Sequence, residues 1–269
     1  MSTQNAASIC YIMKNAAFAA GDSLTEKKDR HGACQLLIGQ LLTAWFSGQN
    51  EDVAILADGL TMPMMACRNE GGFALDDFSR GIESYDGPCF AVGSSGGIMA
   101  YERGLFDLCI SVAYLEKRNA LAAVVYDPIH VELFHAVSSM GAYLNGKSIA
   151  PAHTKRMSDA CLAFDHATLR AGGRAVLSLL AEAANIRVGA ACGLELCYTA
   201  CGRTDAAIRR NEAFFDYAAG LLVAQEAGAV ITDGCGGAYA PLAEYGERRD
   251  LAAACRGIAG ELAPRLASA

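Results

Sequence analysis

Apolar residues recur every three or four positions at the start of this chain, which is the spacing of an amphipathic helix. Ile9, Met13 and Ala20 belong to this first stripe, so a helix is predicted there. Residues 21–30 are polar and predict a break. The stripe returns over residues 32–46 and predicts a second helix.

Short apolar runs bounded by turn residues follow and are typical of strands. The pattern over residues 52–84 is weak and permits only short strands. Beyond it, Asn145-Gly146 is the strongest hairpin-turn signal in the chain, and residues 116–120 predict another hairpin turn. Strands are predicted at residues 89–92, 108–115, 121–126, 132–137 and 142–144.

The second half alternates between the two kinds of element. Strands are predicted at residues 161–164, 186–190, 205–208 and 229–232, and helices at residues 174–184, 193–201 and 216–227. The order predicts an antiparallel α+β first half followed by an α/β second half. We therefore expect an N-terminal α+β subdomain over residues 1–145 and a C-terminal α/β subdomain over residues 146–269.

Composition excludes several classes of protein. The 269 residues are 53% hydrophobic and 19% charged, which rules out a disordered chain. A net charge of −7 without a block of Lys or Arg argues against nucleic acid and anionic membranes as partners. The first basic residue, Lys14, lies inside the first apolar stretch, unlike the charge of a secretory signal. We therefore expect a cytoplasmic protein.

The eleven cysteines predict buried thiols rather than disulfides or zinc. Their number is odd, and no Cys-x-x-Cys pair occurs. Cys192, Cys197 and Cys201 follow helical spacing. We expect small apolar core residues that stay reduced in the cytoplasm.

Three stretches in a fixed order resemble the inositol monophosphatase family. They are AVVYDPI from residue 123 continuing to GAYLNGK from residue 141, LELCYTACGRTDA from residue 194, and FDYAAG from residue 215 with EAGAVITD from residue 226. The resemblance covers roughly residues 80–235. It implies a layered α/β/α/β/α sandwich, commonly a homodimer, and Mg²⁺-dependent hydrolysis of small polyol or sugar phosphates.

The resemblance fails at the motifs that bind Mg²⁺ in that family. The loop of pattern D-P-[IL]-D-G-[TS] falls on Gly93-Ser94-Ser95-Gly96-Gly97, so glycines replace both aspartates. The glutamate of the G-E-E-S loop falls on Ile82, beside Glu83. Asp216 alone keeps the acid of the W-D motif.

These losses predict that metal-assisted hydrolysis is absent. A charge-assisted contact contributes about 1.5–3 kcal/mol, so two lost aspartates remove about 3–6 kcal/mol of metal binding. That is roughly two to four powers of ten in affinity. We therefore expect neither a bound metal nor another cofactor.

Other groups can hold a substrate at the same place. Gly93, Ser94, Ser95, Gly96 and Gly97 expose backbone N–H groups that can form an anion nest. In the resembling family the position of Arg209 contacts polyol, and Glu83 adds a carboxylate. The opposing interpretation is that the loop is only a remnant of a lost activity.

Candidate acid–base groups are His166, Asp165 and Asp216. Imidazole suits proton transfer near neutral pH, and His166 follows a predicted strand together with Asp165. The alternative is a solvent-facing polar pair at a strand end. Asp216 begins a predicted helix, where it can act as a base, pair with Arg209 or simply cap the helix. Asp107 is expected in a solvated turn, with a place in the cleft wall as the alternative.

Three functions remain open. The first is a repurposed, metal-independent acid–base enzyme acting on a small anionic or polyol substrate, as an isomerase, lyase, cyclase or non-phosphoryl hydrolase. The second is a catalytically dead pseudophosphatase with a binding or regulatory role. The third is a weak Mg²⁺-dependent phosphatase that uses Glu83 and Asp216.

Overall fold

The computed structural model describes most of the second half of the chain and several segments of the first. The described residues are 3–27, 54–57, 64–69, 72–77, 87–171, 173–240, 245 and 247–267. The predicted helix over residues 32–46 and the candidate residue Glu83 lie outside them.

Helices and short strands build the first half. The helices are α1 (Thr3–Lys27) and α2 (Ile98–Glu102). The strands are β1 (Ala54–Ala57), β2 (Met64–Asn69), β3 (Gly72–Asp77), β4 (Cys89–Gly96), β5 (Cys109–Glu116), β6 (Asn119–Asp127), β7 (Glu132–Val137), β8 (Ala142–Leu144) and β9 (Lys147–Ser148).

The second half alternates strands and helices, as its pattern predicts. The helices are α3 (His166–Ala171), α4 (Gly173–Glu182), α5 (Cys192–Ala200), α6 (Phe214–Ala227) and α7 (Arg256–Leu266), with a 3₁₀ turn at Met157–Asp159. The strands are β10 (Cys161–Phe164), β11 (Asn185–Val188), β12 (Ala206–Ala213), β13 (Val230–Asp233) and β14 (Arg248–Ala254).

Helix α1 passes through part of the segment where a break is predicted. A Cβ at Gly21 would lie 2.5 Å from the ring of Tyr126 on β6. This glycine therefore permits close packing of the helix on the sheet, rather than ending the helix. The prediction of a break directly after Ala20 is wrong for this reason.

Two sheets organise the described strands. The first has the order β3-β2-β1-β4-β5-β6-β7-β8-β9, and the second has the order β11-β10-β12-β14-β13. Pairing in the first sheet is antiparallel except between β1 and β4. In the second sheet β10 runs parallel to both β11 and β12.

Helices cover both faces of each sheet and give five layers. Helix α1 packs on one face of the first sheet, while α5 and α6 fill the space between the sheets. The α4 and α7 helices lie on the outer face of the second sheet with the 3₁₀ turn. This confirms the predicted α/β/α/β/α sandwich.

Turn residues sit where the sequence places them. Asn145 and Gly146 have φ angles of 48° and 79° in the β8–β9 hairpin. Gly228, at φ 97°, ends α6. The first sheet runs on to Ser148, and the division near residue 145 stays a prediction. In the described part of the chain, no helix has the length and apolar character needed to cross a bilayer.

Candidate functional site

The glycine-rich segment Gly93–Gly97 is mostly strand rather than an open loop. Strand β4 continues to Gly96 and pairs with β5, with a register shift between Gly93 and Gly96. Gly97 precedes α2 at φ 83°, and a Cβ there would lie 1.7 Å from the carbonyl oxygen of Asp107. Glycine is therefore required at Gly97 by both its backbone and its neighbour.

Gly93 is packed against the start of α6. A Cβ at this position would lie 2.7 Å from the carbonyl oxygen of Phe215 and 2.7 Å from Oγ of Ser111. The Ser111 hydroxyl also donates to the Phe215 carbonyl at 3.1 Å. The main chain thus occupies the space into which an aspartate side chain would extend.

Asp216 lies in the first turn of α6, next to this contact. The partial positive charge of a helix N-terminus favours a carboxylate there. Burial, followed by the charge of Asp216, raises the pKa of the Cys109 thiol. Asp216 therefore lies close to the interior between the sheets, and it is not among the residues that line the cleft described next.

A cleft of about 430 Å³ opens where the two sheets meet. Its walls come from α2 and the following loop, from the start of α3, and from the ends of β11 and β12. The lining residues are Ala100, Leu105, Asp107, Asp165, His166, Ala167, Val188, Gly189, Ala190 and Arg209.

Asp165 and His166 meet in this cleft at the end of β10. Oδ1 of Asp165 accepts the backbone N–H of Thr168 at 2.8 Å and so caps α3. Asp165 is only 8% exposed, whereas His166 is exposed at the first position of the helix. The two side chains share the cleft without a hydrogen bond between them in the described structure.

Arg209 reaches the cleft from β12 and is held by fixed partners. Its guanidinium donates to Oε1 of Glu212 at 2.8 Å and to the carbonyl oxygen of Gly189 at 2.9 Å. Arg209 is 3% exposed. Burial opposes its charge, but the carboxylates of Glu212 and Asp165 help to hold its pKa above the usual range. Burial in turn raises the pKa of Glu212 despite this partner.

A chain of ion pairs begins at the cleft and leads into the protein interior. Asp107, on the loop after α2, pairs with Arg187 of β11 and accepts the backbone N–H of Ala190 at 3.2 Å. Arg187 also donates to Oε1 of Glu195 at 2.7 Å. Burial raises the pKa of Glu195. The loop from the first sheet is thereby attached to the second sheet.

The residues present do not fit the Mg²⁺ that the family resemblance implies. No group of three or more His, Cys, Asp or Glu side chains suited to a metal occurs in the described segments. Mg²⁺ requires oxygen ligands in a near-octahedral arrangement, and Gly93 neither supplies one nor leaves space for one. We therefore derive no chemical step through a metal.

The cleft brings together three of the predicted site residues, Asp165, His166 and Arg209. Gly93, Gly96, Gly97 and Asp216 are not among its lining residues. For Ser94 and Ser95 only the backbone is described, within β4. Their roles in binding or catalysis stay predictions.

One expectation at the cleft is wrong, and two residues were not anticipated. Asp107 is not in a free solvated turn, because it pairs with Arg187. Glu212, as well as Arg187, was missed by sequence reasoning. The sequence did offer one signal for the ion pair of Arg209 with Glu212, because the two residues have opposite charges and lie three positions apart. In a regular strand, however, residues three apart lie on opposite faces and cannot pair.

The five-layer fold and its interlayer cleft define an α/β/α/β/α sandwich protein, and the comparisons with known proteins agree. The sequence profile of the Inositol monophosphatase family matches residues 98–269. The chain therefore belongs to the inositol monophosphatase family. A Nus factor SuhB of Xylella fastidiosa is 34% identical over 142 residues, covering 51% of this chain and 52% of that protein.

Two further matches extend this result. An inositol-1-monophosphatase of Rhizobium meliloti is 33% identical over 180 residues, covering 65% of this chain and 67% of that protein. The chain thus matches about half to two thirds of the length of these curated relatives. The structure of an inositol monophosphatase from Anabaena (Nostoc) has a TM-score of 0.76 at 24% identity, covering 98% of this chain and 97% of that one. This likeness concerns the fold.

Proposed function

We propose that this family member is a metal-independent enzyme that acts on a small polar metabolite in the cleft. The observation that carries the proposal is the contact of Gly93 with the Phe215 carbonyl and Ser111. An aspartate ligand is missing there, and the position that it would need is occupied by main chain.

His166 is the group best placed for proton transfer in this proposal. It lines the cleft and is exposed to it, so a ring nitrogen can give a proton to a bound ligand or take one. Asp165 lies beside it at the end of β10, and Arg209 supplies donors from the neighbouring strand β12. These groups suit an isomerisation, elimination, cyclisation or non-phosphoryl hydrolysis of a polyol or anionic metabolite.

One observation favours a second candidate, a pseudophosphatase that binds a metabolite and regulates a partner. The His166 ring makes no hydrogen bond to another described residue, and neither Asp165 nor Asp216 is seen to orient it. Catalytic histidines are commonly oriented by such a partner. A third candidate, a weak Mg²⁺-dependent phosphatase, depends on Glu83, which lies outside the described residues.

The cellular setting belongs to the same proposal. The cysteines whose side chains the structure describes are unpaired and mostly buried, which supports a reducing cytoplasmic location. We also propose a homodimer. Its support is a set of exposed apolar side chains around the cleft mouth, here named the apolar rim: Met99, Leu105, Phe106 and Val188.

Calorimetry with Mg²⁺ on chelator-treated protein tests the loss of the metal site. Phosphatase assays with inositol phosphates and an aryl phosphate follow, with the Rhizobium meliloti relative as positive control. We expect no Mg²⁺ binding at millimolar concentrations and no turnover above background. Turnover close to that of the control protein would refute the metal-independent proposal.

The enzyme and the pseudophosphatase are separated by following small polyols and their oxidised or phosphorylated forms by NMR. An enzyme converts a bound compound, and His166→Ala lowers the conversion while binding persists. Binding without conversion over long incubation instead supports the pseudophosphatase.

A further inference from the structure

Among the described residues at the cleft and their ion-pair partners, carboxylates outnumber guanidinium groups. Two guanidinium groups face four carboxylates, namely Arg187 and Arg209 on one side and Asp107, Asp165, Glu195 and Glu212 on the other. Three of these carboxylates are engaged in ion pairs with the two arginines. Asp165 is the carboxylate that remains.

Asp165 presents an unused acceptor to the cleft. Oδ1 accepts the Thr168 N–H, and Oδ2 has no hydrogen-bond partner among the described residues. The residue is more than nine-tenths buried and lines the cleft. Oδ2 is not one of the buried, unpartnered polar atoms of the described residues, so it is open to the cleft, where a ligand can donate to it.

Arg209 does not turn the cleft into a site for anions. Its guanidinium is shared between Glu212 and the Gly189 carbonyl, and the carboxylate of Asp165 lies close enough to act on its charge. A phosphate entering the cleft would meet an arginine already shared with Glu212 and, beside it, the carboxylate of Asp165. In the absence of a metal, such a dianion is repelled at short range.

We infer that the cleft binds a small hydroxylated molecule that carries a protonated amine, with the ammonium group donating to Oδ2 of Asp165. This rests on the proposed metal-free site and specifies its ligand. A charge-assisted bond of this kind is among the stronger contacts available to a small ligand. The remaining guanidinium N–H groups of Arg209 suit hydroxyl oxygens.

The size and the walls of the cleft agree with this ligand. A volume of about 430 Å³ accommodates one small ring with its substituents. Ala100, Leu105, Ala167 and Val188 supply apolar surface for the carbon skeleton. Asp165 and Arg209 lie at the ends of β10 and β12. The carboxylate of Asp165 can accept from an amine and the guanidinium of Arg209 can donate to a hydroxyl on the same ring.

Titration calorimetry on the full chain in chelating buffer tests the inference. The probes are matched sets on one framework: glucosamine, glucose and glucose 6-phosphate, and an aminocyclitol, myo-inositol and inositol 1-phosphate. In at least one set we expect the amine to bind about tenfold or more tightly than its neutral counterpart, and the phosphate to bind most weakly.

Two variants locate the effect. Asp165→Asn keeps an oxygen for the cap of α3 but removes the charge, so the folded variant should lose the preference for amines. Asp159→Asn changes an exposed carboxylate that lies away from the cleft and pairs with Arg156. This variant should keep the preference for amines. Circular dichroism confirms that both variants are folded.

The inference is overturned if no probe binds, if a phosphate binds as tightly as its amine, or if Asp165→Asn retains the preference. These results are independent of turnover and of Mg²⁺ binding. Failure of the amine preference therefore leaves the proposed metal-independent enzyme standing, and detection of a tight Mg²⁺ site would remove that enzyme without affecting the amine measurement.

Discussion

The carbonyl oxygen of Phe215 lies 2.7 Å from the point where a side chain at Gly93 would begin. This contact joins the end of β4 to the first turn of α6. It means that a change from the aspartate that the family resemblance implies here to glycine is not a simple truncation. The surrounding backbone is packed for glycine, and a larger residue has to displace it.

Gly93→Ala should therefore destabilise the protein. Overpacking against backbone costs about 1–3 kcal/mol in the free energy of unfolding, to be measured by urea denaturation. Gly260→Ala is the matched control, because Gly260 lies in α7 with no atom within 4 Å of the added Cβ. This control should be neutral or stabilising by up to about 1 kcal/mol. Equal stability of the two variants would contradict the packing argument.

Restoring aspartates at Gly93 and Gly96 should not restore Mg²⁺ binding. The new carboxylate at Gly93 would be forced against the Phe215 carbonyl, so it cannot adopt the geometry that Mg²⁺ requires. Calorimetry with Mg²⁺ on the folded double variant provides the measurement. Heat from a stoichiometric site would show that the backbone opens more easily than the contact suggests.

Glu212→Gln should be strongly destabilising because it leaves the buried charge of Arg209 poorly compensated. Breaking a buried ion pair on one side costs about 3 kcal/mol or more. Asp159→Asn breaks an exposed pair with Arg156 and should cost about 0–1 kcal/mol. Urea midpoints of both variants give the comparison, and a small loss for Glu212→Gln would mean that Arg209 finds another partner.

Stability should fall as the pH decreases from 6.5 towards 4, in part because of His135. Burial and then the charge of Lys14 lower its pKa from 6.5 to about 4, and Nδ1 has no hydrogen-bond partner within the described structure. The unfolded chain binds a proton in this window, whereas the folded chain does not, so acid favours unfolding.

His135→Gln should reduce the difference between the unfolding free energies at pH 7 and pH 5. The exposed residue His153 provides the matched control, His153→Gln, which should leave this difference unchanged. An unchanged difference in His135→Gln would assign the acid sensitivity to other groups.

The apolar rim predicts a concentration-dependent homodimer. Phe106→Glu places a charge among these exposed apolar side chains and should convert the dimer to a monomer in sedimentation experiments. Leu177→Glu changes an equally exposed apolar residue on α4 and should remain dimeric. A wild-type monomer at tens of micromolar would rule out the proposed dimer.

Local patterns predicted much of the fold because many elements in both halves follow regular spacing. Strands β7, β8 and β10 lie at the predicted residues, and α6 ends at Gly228 as expected. The C-terminal elements β14 and α7 were missed. Strand β14 combines a charged start with a run of alanines, and helix α7 contains Pro264. Neither segment therefore shows a clear periodic pattern of hydrophobic residues.

The site was less predictable because it depends on contacts that spacing does not encode. The pairing of Arg209 with Glu212 requires a register shift in β12, where Asn211 has a φ of 57°. This irregularity turns residues three apart towards each other. The contact of Gly93 with Phe215 joins positions far apart in the chain, which no local pattern reveals.

The bridge from Asp107 to Arg187 has a consequence for the rate at which ligands enter. Because the loop after α2 is already tied to β11, the width of the entrance is set before any ligand arrives. A ligand then meets a preformed opening, so its association should be limited by diffusion and orientation rather than by a slow rearrangement of the protein.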